Sequence, residues 1–270
     1  MQTLKWMGSV LCAVVMGMSH SNAQTNLSKS DVVKVAWVAR PPFQYTESLG
    51  SVANSPNSAN SNSTNKQAKG SRLERVKQIF KLANIPAEFV EEPAKRIWSQ
   101  LATGNGNYCS FDWYKLPERE AVAQFSNALE ITAPYSILVS PNAYAQVAAH
   151  THLDELLADA ELSLGLLDGV SYGEELSALI QHSKNKQIRI SASPSVMARM
   201  ISANRASFMF INKYEWAYLK NNDALLNTAK LIDMNGVPAG QPSYLVCGKK
   251  MDAARMQKLN QAIEKLSLLN

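Results

Sequence analysis

Arg119 lies in Leu116-Pro117-Glu118-Arg119-Glu120, and a guanidinium offers a planar fork of donors that matches a carboxylate. Pairing with Glu118 or Glu120 on a solvated surface would satisfy the same residue. Gly169-Val170-Ser171-Tyr172-Gly173 follows an apolar run and precedes a helical pattern, a setting where free N–H groups and the helix dipole favour an anion. Ser171 with Glu174 three residues on reads equally as a capping box. Asp112 and Glu118 are the acids near Arg119 that could do proton transfer, with no histidine close in sequence. His150 and His152 have no third ligand nearby and read as exposed side chains, so no metal site is expected. Gly104-Asn105-Gly106 lacks the third glycine of a dinucleotide fingerprint, and no Walker-type run occurs, so no cofactor is expected.

Residues of these types need a scaffold, and the chain is long enough to build one. Its 270 residues suit one large domain or two modest lobes. Hydrophobic residues at 46% against 18% charged describe a globular chain with a real core. Lys plus Arg exceed Asp plus Glu by 27 to 22, but no basic stripe accompanies the excess, which argues against a nucleic-acid partner. Lys5, the apolar run Trp6 to Met18 and Ser21-Asn22-Ala23 have the order of a secretory leader, expected to span 1–23 and to leave a chain exported to the periplasm. Cys12 departs with that leader. Cys109 and Cys247 remain, an even pair in a compartment where disulfides persist, or else two separately buried thiols.

Apolar periodicity places the scaffold's elements. Val32 to Val38 has the β-branched density of a buried strand that Pro41-Pro42 ends. Leu73, Val76, Ile79 and Phe80 recur at helical spacing up to Asn84, a short strand follows at Glu88 to Glu91, and Pro93 opens a helix that stops at Gly104. Strands at 135–139, 162–167, 188–190 and 207–211 alternate with helices at 153–157, 174–183 and about 195–203. That alternation predicts an α/β architecture with helices packed on largely parallel sheets. Residues 51–65, ten of them Asn or Ser, cannot support a core and form the centre of a low-complexity loop expected over 47–70.

Several short segments, in this order, resemble the family 3 extracellular solute-binding proteins, the amino-acid-binding components of ABC importers. They are Arg40-Pro41-Pro42-Phe43, the helix from Pro93 to Gly106, Leu116 to Glu120 with Phe125-Ser126 beyond it, Leu153 to Leu156, Leu164 to Gly173, Asn204-Arg205 and Tyr244 to Lys249. The cysteine ahead of Trp113-x-Lys115-x-Pro117-Glu118-Arg119-Glu120 is similar to a less-characterised branch. The resemblance implies a two-lobe, periplasmic-binding-protein-like type II fold joined by a two-segment hinge. Residues 24–132 plus 241–270 would form one lobe and 133–240 the other. It implies that Arg119 grips a ligand carboxylate, helped by Val170, Ser171 and Tyr172, with Arg40, Phe43 and Trp113 around the pocket mouth. It implies also that Cys109 and Cys247 meet on strands of the first lobe. Asn212 stands where amino-acid binders of the family carry an aspartate for the ligand's ammonium, so an acid without an α-ammonium is expected to fit. The resemblance implies a non-catalytic monomer that binds a small molecule and docks on an importer's membrane component. An accessory or sensory protein with a drifted pocket, and a dehydratase on the same fold, are the alternatives.

Overall fold

The computed structural model describes residues 31–48 and 66–268; the expected leader and the Asn/Ser-rich stretch 51–65 lie outside the described residues. The first half runs β1 (Val33–Trp37), β2 (Tyr45–Ser48), β3 (Lys66–Lys69), α1 (Ser71–Leu82) and β4 (Ala87–Glu91). It continues through α2 (Ala94–Ala102), β5 (Tyr108–Trp113), α3 (Pro117–Val122) and β6 (Ala123–Ile131). Next come β7 (Tyr135–Val139), α4 (Tyr144–Ala149), α5 (Leu153–Ala158), β8 (Ser163–Leu167) and α6 (Glu174–Gln181). The chain then forms β9 (Lys186–Ile190), α7 (Pro194–Ser202), β10 (Phe208–Asn212), α8 (Lys213–Asn222) and β11 (Lys230–Ile232), and closes with β12 (Pro242–Gly248) and α9 (Ala253–Ser267).

Two five-stranded sheets result, ordered β4-β1-β5-β12-β6 and β11-β7-β10-β8-β9. Each has one reversed strand: β12 is antiparallel to β5 and β6, and β7 is antiparallel to β10 and β11, while the other four strands of each sheet run one way. This is the expected mainly parallel, helix-flanked α/β architecture in two lobes.

Strand alternation explains why each sheet needs helices on both faces. In β1, Val33, Val35 and Trp37 pack under α1 and α9 with Leu73, Ile79, Phe80, Leu259 and Ile263, whereas Ala36 faces Ile97 and Leu101 of α2. In β10, Phe208 and Phe210 pack with Leu156, Leu176 and Ile180, and Met209 and Ile211 with Met197, Ile201 and Trp216.

Both crossings between the sheets adjoin the reversed strands. The chain leaves β6 through 132–134 and returns through 233–241, and the two segments are bonded: Thr132 N–H donates to the Gln241 carbonyl at 2.9 Å, and Gln241 N–H to Thr132 Oγ1 at 3.2 Å. Gly240 permits that approach, since a Cβ there would lie 1.5 Å from the Thr132 carbonyl oxygen. The ends of the expected 47–70 loop are regular instead: β2 and β3 pair antiparallel from Tyr45 opposite Lys69 to Ser48 opposite Lys66. Cys109 and Cys247 lie opposite one another on β5 and β12, with Cα atoms 4.0 Å apart, and form a disulfide in the core beneath α1 and α9.

Candidate functional site

The cleft between the sheets holds three adjoining cavities. The largest, about 710 Å³, is walled by Val38, Ala94, Tyr135, Leu167, Val170, Tyr172, Met209 and Phe210, with Arg40 and Glu215 among its charged groups. A second, about 440 Å³, continues past Glu215 to Tyr45, Ser195 and Tyr218. The third is a chamber of about 60 Å³ between Arg119, Trp113, Tyr114, Gly169, Val170 and Ser171. A main cavity of this size with apolar walls and a few convergent polar groups is the ordinary form of a small-molecule site.

The turn after β1 builds one end of the site. Arg40 N–H donates to the Gln44 carbonyl at 2.7 Å, closing a short loop that brings both side chains toward Asp112. Gly70, at φ 129°, lets α1 begin against this loop, where a Cβ would lie 2.2 Å from the Phe43 oxygen. That carbonyl accepts from the first N–H groups of α1, Arg72 at 3.0 Å and Leu73 at 3.3 Å. Arg72 is thereby fixed with its guanidinium carbon 3.9 Å above the Phe43 ring.

Asp112 leaves the end of β5 with φ 68°, a left-handed conformation that aspartate tolerates better than most residues. Its carboxylate takes Gln44 Nε2 at 3.0 Å, Arg72 Nη1 at 3.0 Å and Arg40 Nη1 at 3.3 Å. Arg72 Nε also pairs with Glu130. On the facing lobe, Glu215 places Oε2 3.6 Å from Arg40 Nη2, so this ion pair spans the cleft. Tyr45 and Tyr218, with ring centroids 5.3 Å apart, join the lobes beside it. Burial disfavours the Arg40 charge, but Glu215 and then Asp112 outweigh that and hold its pKa above the ordinary arginine value.

Arg119 stands in a different environment. Its guanidinium carbon lies 4.8 Å from the Trp98 ring centroid and 5.3 Å from that of Trp113, the rings meeting edge to face. Nη1 donates to the Tyr114 carbonyl at 3.0 Å. Among the described residues no carboxylate reaches ion-pair distance of it, and burial lowers its pKa, opposed only by Glu118. It is a half-buried cation beside aromatic rings, with no anionic partner among the described residues, facing the chamber closed by Val170 and Ser171 of the other lobe.

No family model and no curated protein matches the sequence, but solved structures match along nearly its whole length. An amino-acid ABC transporter substrate-binding protein, AbpA from Streptococcus pneumoniae, bound to L-arginine, superposes with a TM-score of 0.67 at 15% identity, covering 89% of this chain and 90% of that one. An ancestral arginine-binding protein bound to glutamine gives 0.64 at 18% identity over 88% and 92%. The ancestral amino-acid-binding protein AncCDT-1, a precursor of cyclohexadienyl dehydratase, gives 0.65 at 17% over 89% and 91%. The fold is that of the amino-acid ABC transporter substrate-binding proteins. At these identities the likeness carries the architecture, and the resemblance read from the sequence holds at that level.

Within this substrate-binding-protein fold the residues singled out by sequence divide. Arg40, Val170 and Tyr172 line the main cavity, and Arg119, Ser171 and Trp113 line the small chamber, which Arg40 and Val170 also border. Tyr172 packs against Tyr135 and Phe210, with its hydroxyl accepting from Leu167 N–H at 3.1 Å. Ser171 does not cap α6: the N-cap is Gly173, at φ 85°, and Ser171 Oγ accepts from its N–H at 3.2 Å. Phe43 lies outside these three cavities, under Arg72. Asn212 lies outside them as well, because its Oδ1 accepts from Tyr214 N–H at 2.9 Å and caps α8. The buried acid on this side of the cleft is Glu215, three residues on, which the sequence reading missed. Asn212-x-x-Glu215 after an apolar strand is the spacing of a helix start, and it would have placed Glu215 in the first turn of a helix. His152 caps α5 and His150 pairs with Asp159 at 3.0 Å, each in a local structural role.

Proposed function

We propose that this chain is an exported, non-catalytic solute-binding protein that captures a small polar, carboxylate-bearing solute between its lobes and delivers it, as a monomer in the periplasm, to an ABC importer. The observation that carries the reading is Arg119: a guanidinium without an acidic partner among the described residues, set against an edge-to-face pair of tryptophans and facing a chamber about the volume of two waters, room for a carboxylate head. The apolar main cavity next to it suits the body of such a ligand, and neighbours of the same fold bind L-arginine and glutamine. The non-catalytic part rests on the two acids near Arg119. Asp112 is held by Gln44, Arg72 and Arg40, and Glu118 is exposed outside the cavities.

A thermal-shift screen of the mature chain against amino acids, dipeptides, organic acids and aromatic acids tests the proposal. A ligand at one hundred times its Kd stabilises by about 2.7 kcal/mol, which for a chain of this size is several degrees. At least one carboxylate-bearing class should produce such a shift; shifts confined to neutral solutes would refute the carboxylate.

A further inference from the structure

The charged end of the cleft is short of positive charge. The guanidinium groups of Arg40 and Arg72 serve three carboxyls, those of Asp112, Glu130 and Glu215. Glu215 is the least well served. It is 3% exposed, Oε2 meets Arg40 only at 3.6 Å, and Oε1 is buried with no hydrogen-bond partner. A buried carboxylate oxygen left unpaired carries its full desolvation cost. At the third position of α8 a glutamate can reach back to the N-cap N–H, yet in this helix only the Asn212 side chain makes a cap bond.

Glu215 turns instead to the junction of the two larger cavities, lining both, together with Ala39, Thr46, Glu91, Ser193 and Pro194. The charged lining of the main cavity is Arg40 and Lys95 against Glu91, Glu92, Asp168 and Glu215; Lys34 pairs with Glu92, and Arg40 is already engaged by Asp112 and Glu215, so the lining still carries more acid than base. The orphaned oxygen and this balance both call for a cation. Arg119 lies in the other chamber, with Arg40 bordering both.

We infer that Glu215 binds a protonated amine of the ligand, remote from the end held by Arg119, so that the cleft takes an elongated solute with a carboxylate at one end and an ammonium at the other. The inference rests on the reading of the cleft as a solute site and names the ligand's second charged group. Burial pushes the Glu215 carboxyl above its usual pKa against the pull of Arg40, as a missing countercharge requires.

Titration calorimetry with ω-amino acids of four, six and eight carbons, the matching monocarboxylic acids and the matching α,ω-diamines tests it. At least one ω-amino acid should bind the parent protein at least ~10-fold more tightly than its amine-free partner, about 1.4 kcal/mol, and Glu215→Gln should abolish that preference. The unliganded Glu215→Gln protein should also melt higher at neutral pH, because the amide removes a buried charge that Arg40, shared with Asp112, offsets only in part. Amine-free acids binding as tightly as ω-amino acids, or a preference that survives Glu215→Gln, would overturn the inference while leaving the carboxylate reading intact. Glu215-dependent binding of diamines without binding of any acid would sink the carboxylate reading and keep this one. A lower melting temperature in Glu215→Gln with the preference unchanged would mean that Glu215 only holds Arg40, and would also overturn it.

Discussion

Arg119→Ala is expected to weaken binding of a carboxylate-bearing ligand by at least ~30-fold, the lower end of a loss on the order of 2–5 kcal/mol. The size follows from the surroundings of the guanidinium. Trp98 and Trp113 cover one side of it, the Tyr114 carbonyl takes one donor, and no carboxylate among the described residues competes for the rest of the fork. Removing it leaves a ligand carboxylate desolvated and underpaired. Arg40→Ala should act differently, because Arg40 is tied to Asp112 and Glu215 before any ligand arrives. Its loss exposes two buried carboxylates to each other and should lower stability along with affinity. Calorimetric affinities and melting curves of the two variants separate the roles. Equal affinity of parent and Arg119→Ala would reassign the anchor to Arg40 or to the turn at Ser171.

Replacing Cys109 and Cys247 together by alanine should cost about 2–5 kcal/mol of stability with ligand affinity unchanged. The bridge joins residues 138 apart in sequence, so reduction frees a long loop in the unfolded chain. Both cysteines lie in the core under α1 and α9, on the side of the sheet away from α2, and neither lines the three cavities of the cleft. For a domain of this size the loss corresponds to a fall of about 5–15 °C in melting temperature. Melting the parent protein with and without a reductant checks the same point; identical curves would show that the bridge contributes nothing.

The α/β alternation was legible because its elements are simple. Val33 to Trp37 is a continuous apolar run, and Leu73, Val76, Ile79 and Phe80 mark one helical face. Strand β6 was not legible: Ala123–Ile131 mixes Gln124, Ser126, Asn127 and Glu130 with its apolar residues, and register shifts against β12 break the alternation that would have marked it. Helix α8 was hidden because Lys213–Asn222 has only a weak apolar stripe, with Trp216 and Leu219 buried beside the buried Glu215. Asn212, seven residues after Arg205, also caps α8 through Oδ1, a local role that counting along the chain does not reveal. The cluster of Arg40, Arg72, Asp112, Glu130 and Glu215 is scattered along the chain and comes together only when the loop after β1, the start of α1, the ends of β5 and β6 and the first turn of α8 meet across the cleft. No local period encodes such a meeting. Arg119 was legible as a candidate through its motif, and what the sequence withheld was that Glu118 and Glu120 turn away and leave it unpaired. Lys115 takes Glu120 at 2.8 Å.

The most direct test of the account compares one ligand with its own neutral isostere. Titration calorimetry of the strongest acid from the thermal-shift screen against its primary carboxamide changes only the group that Arg119 is held to grip. The carboxamide should bind at least ~30-fold more weakly, about 2 kcal/mol, and this gap should close in Arg119→Ala. A carboxamide that binds the parent protein as tightly as the acid would contradict it.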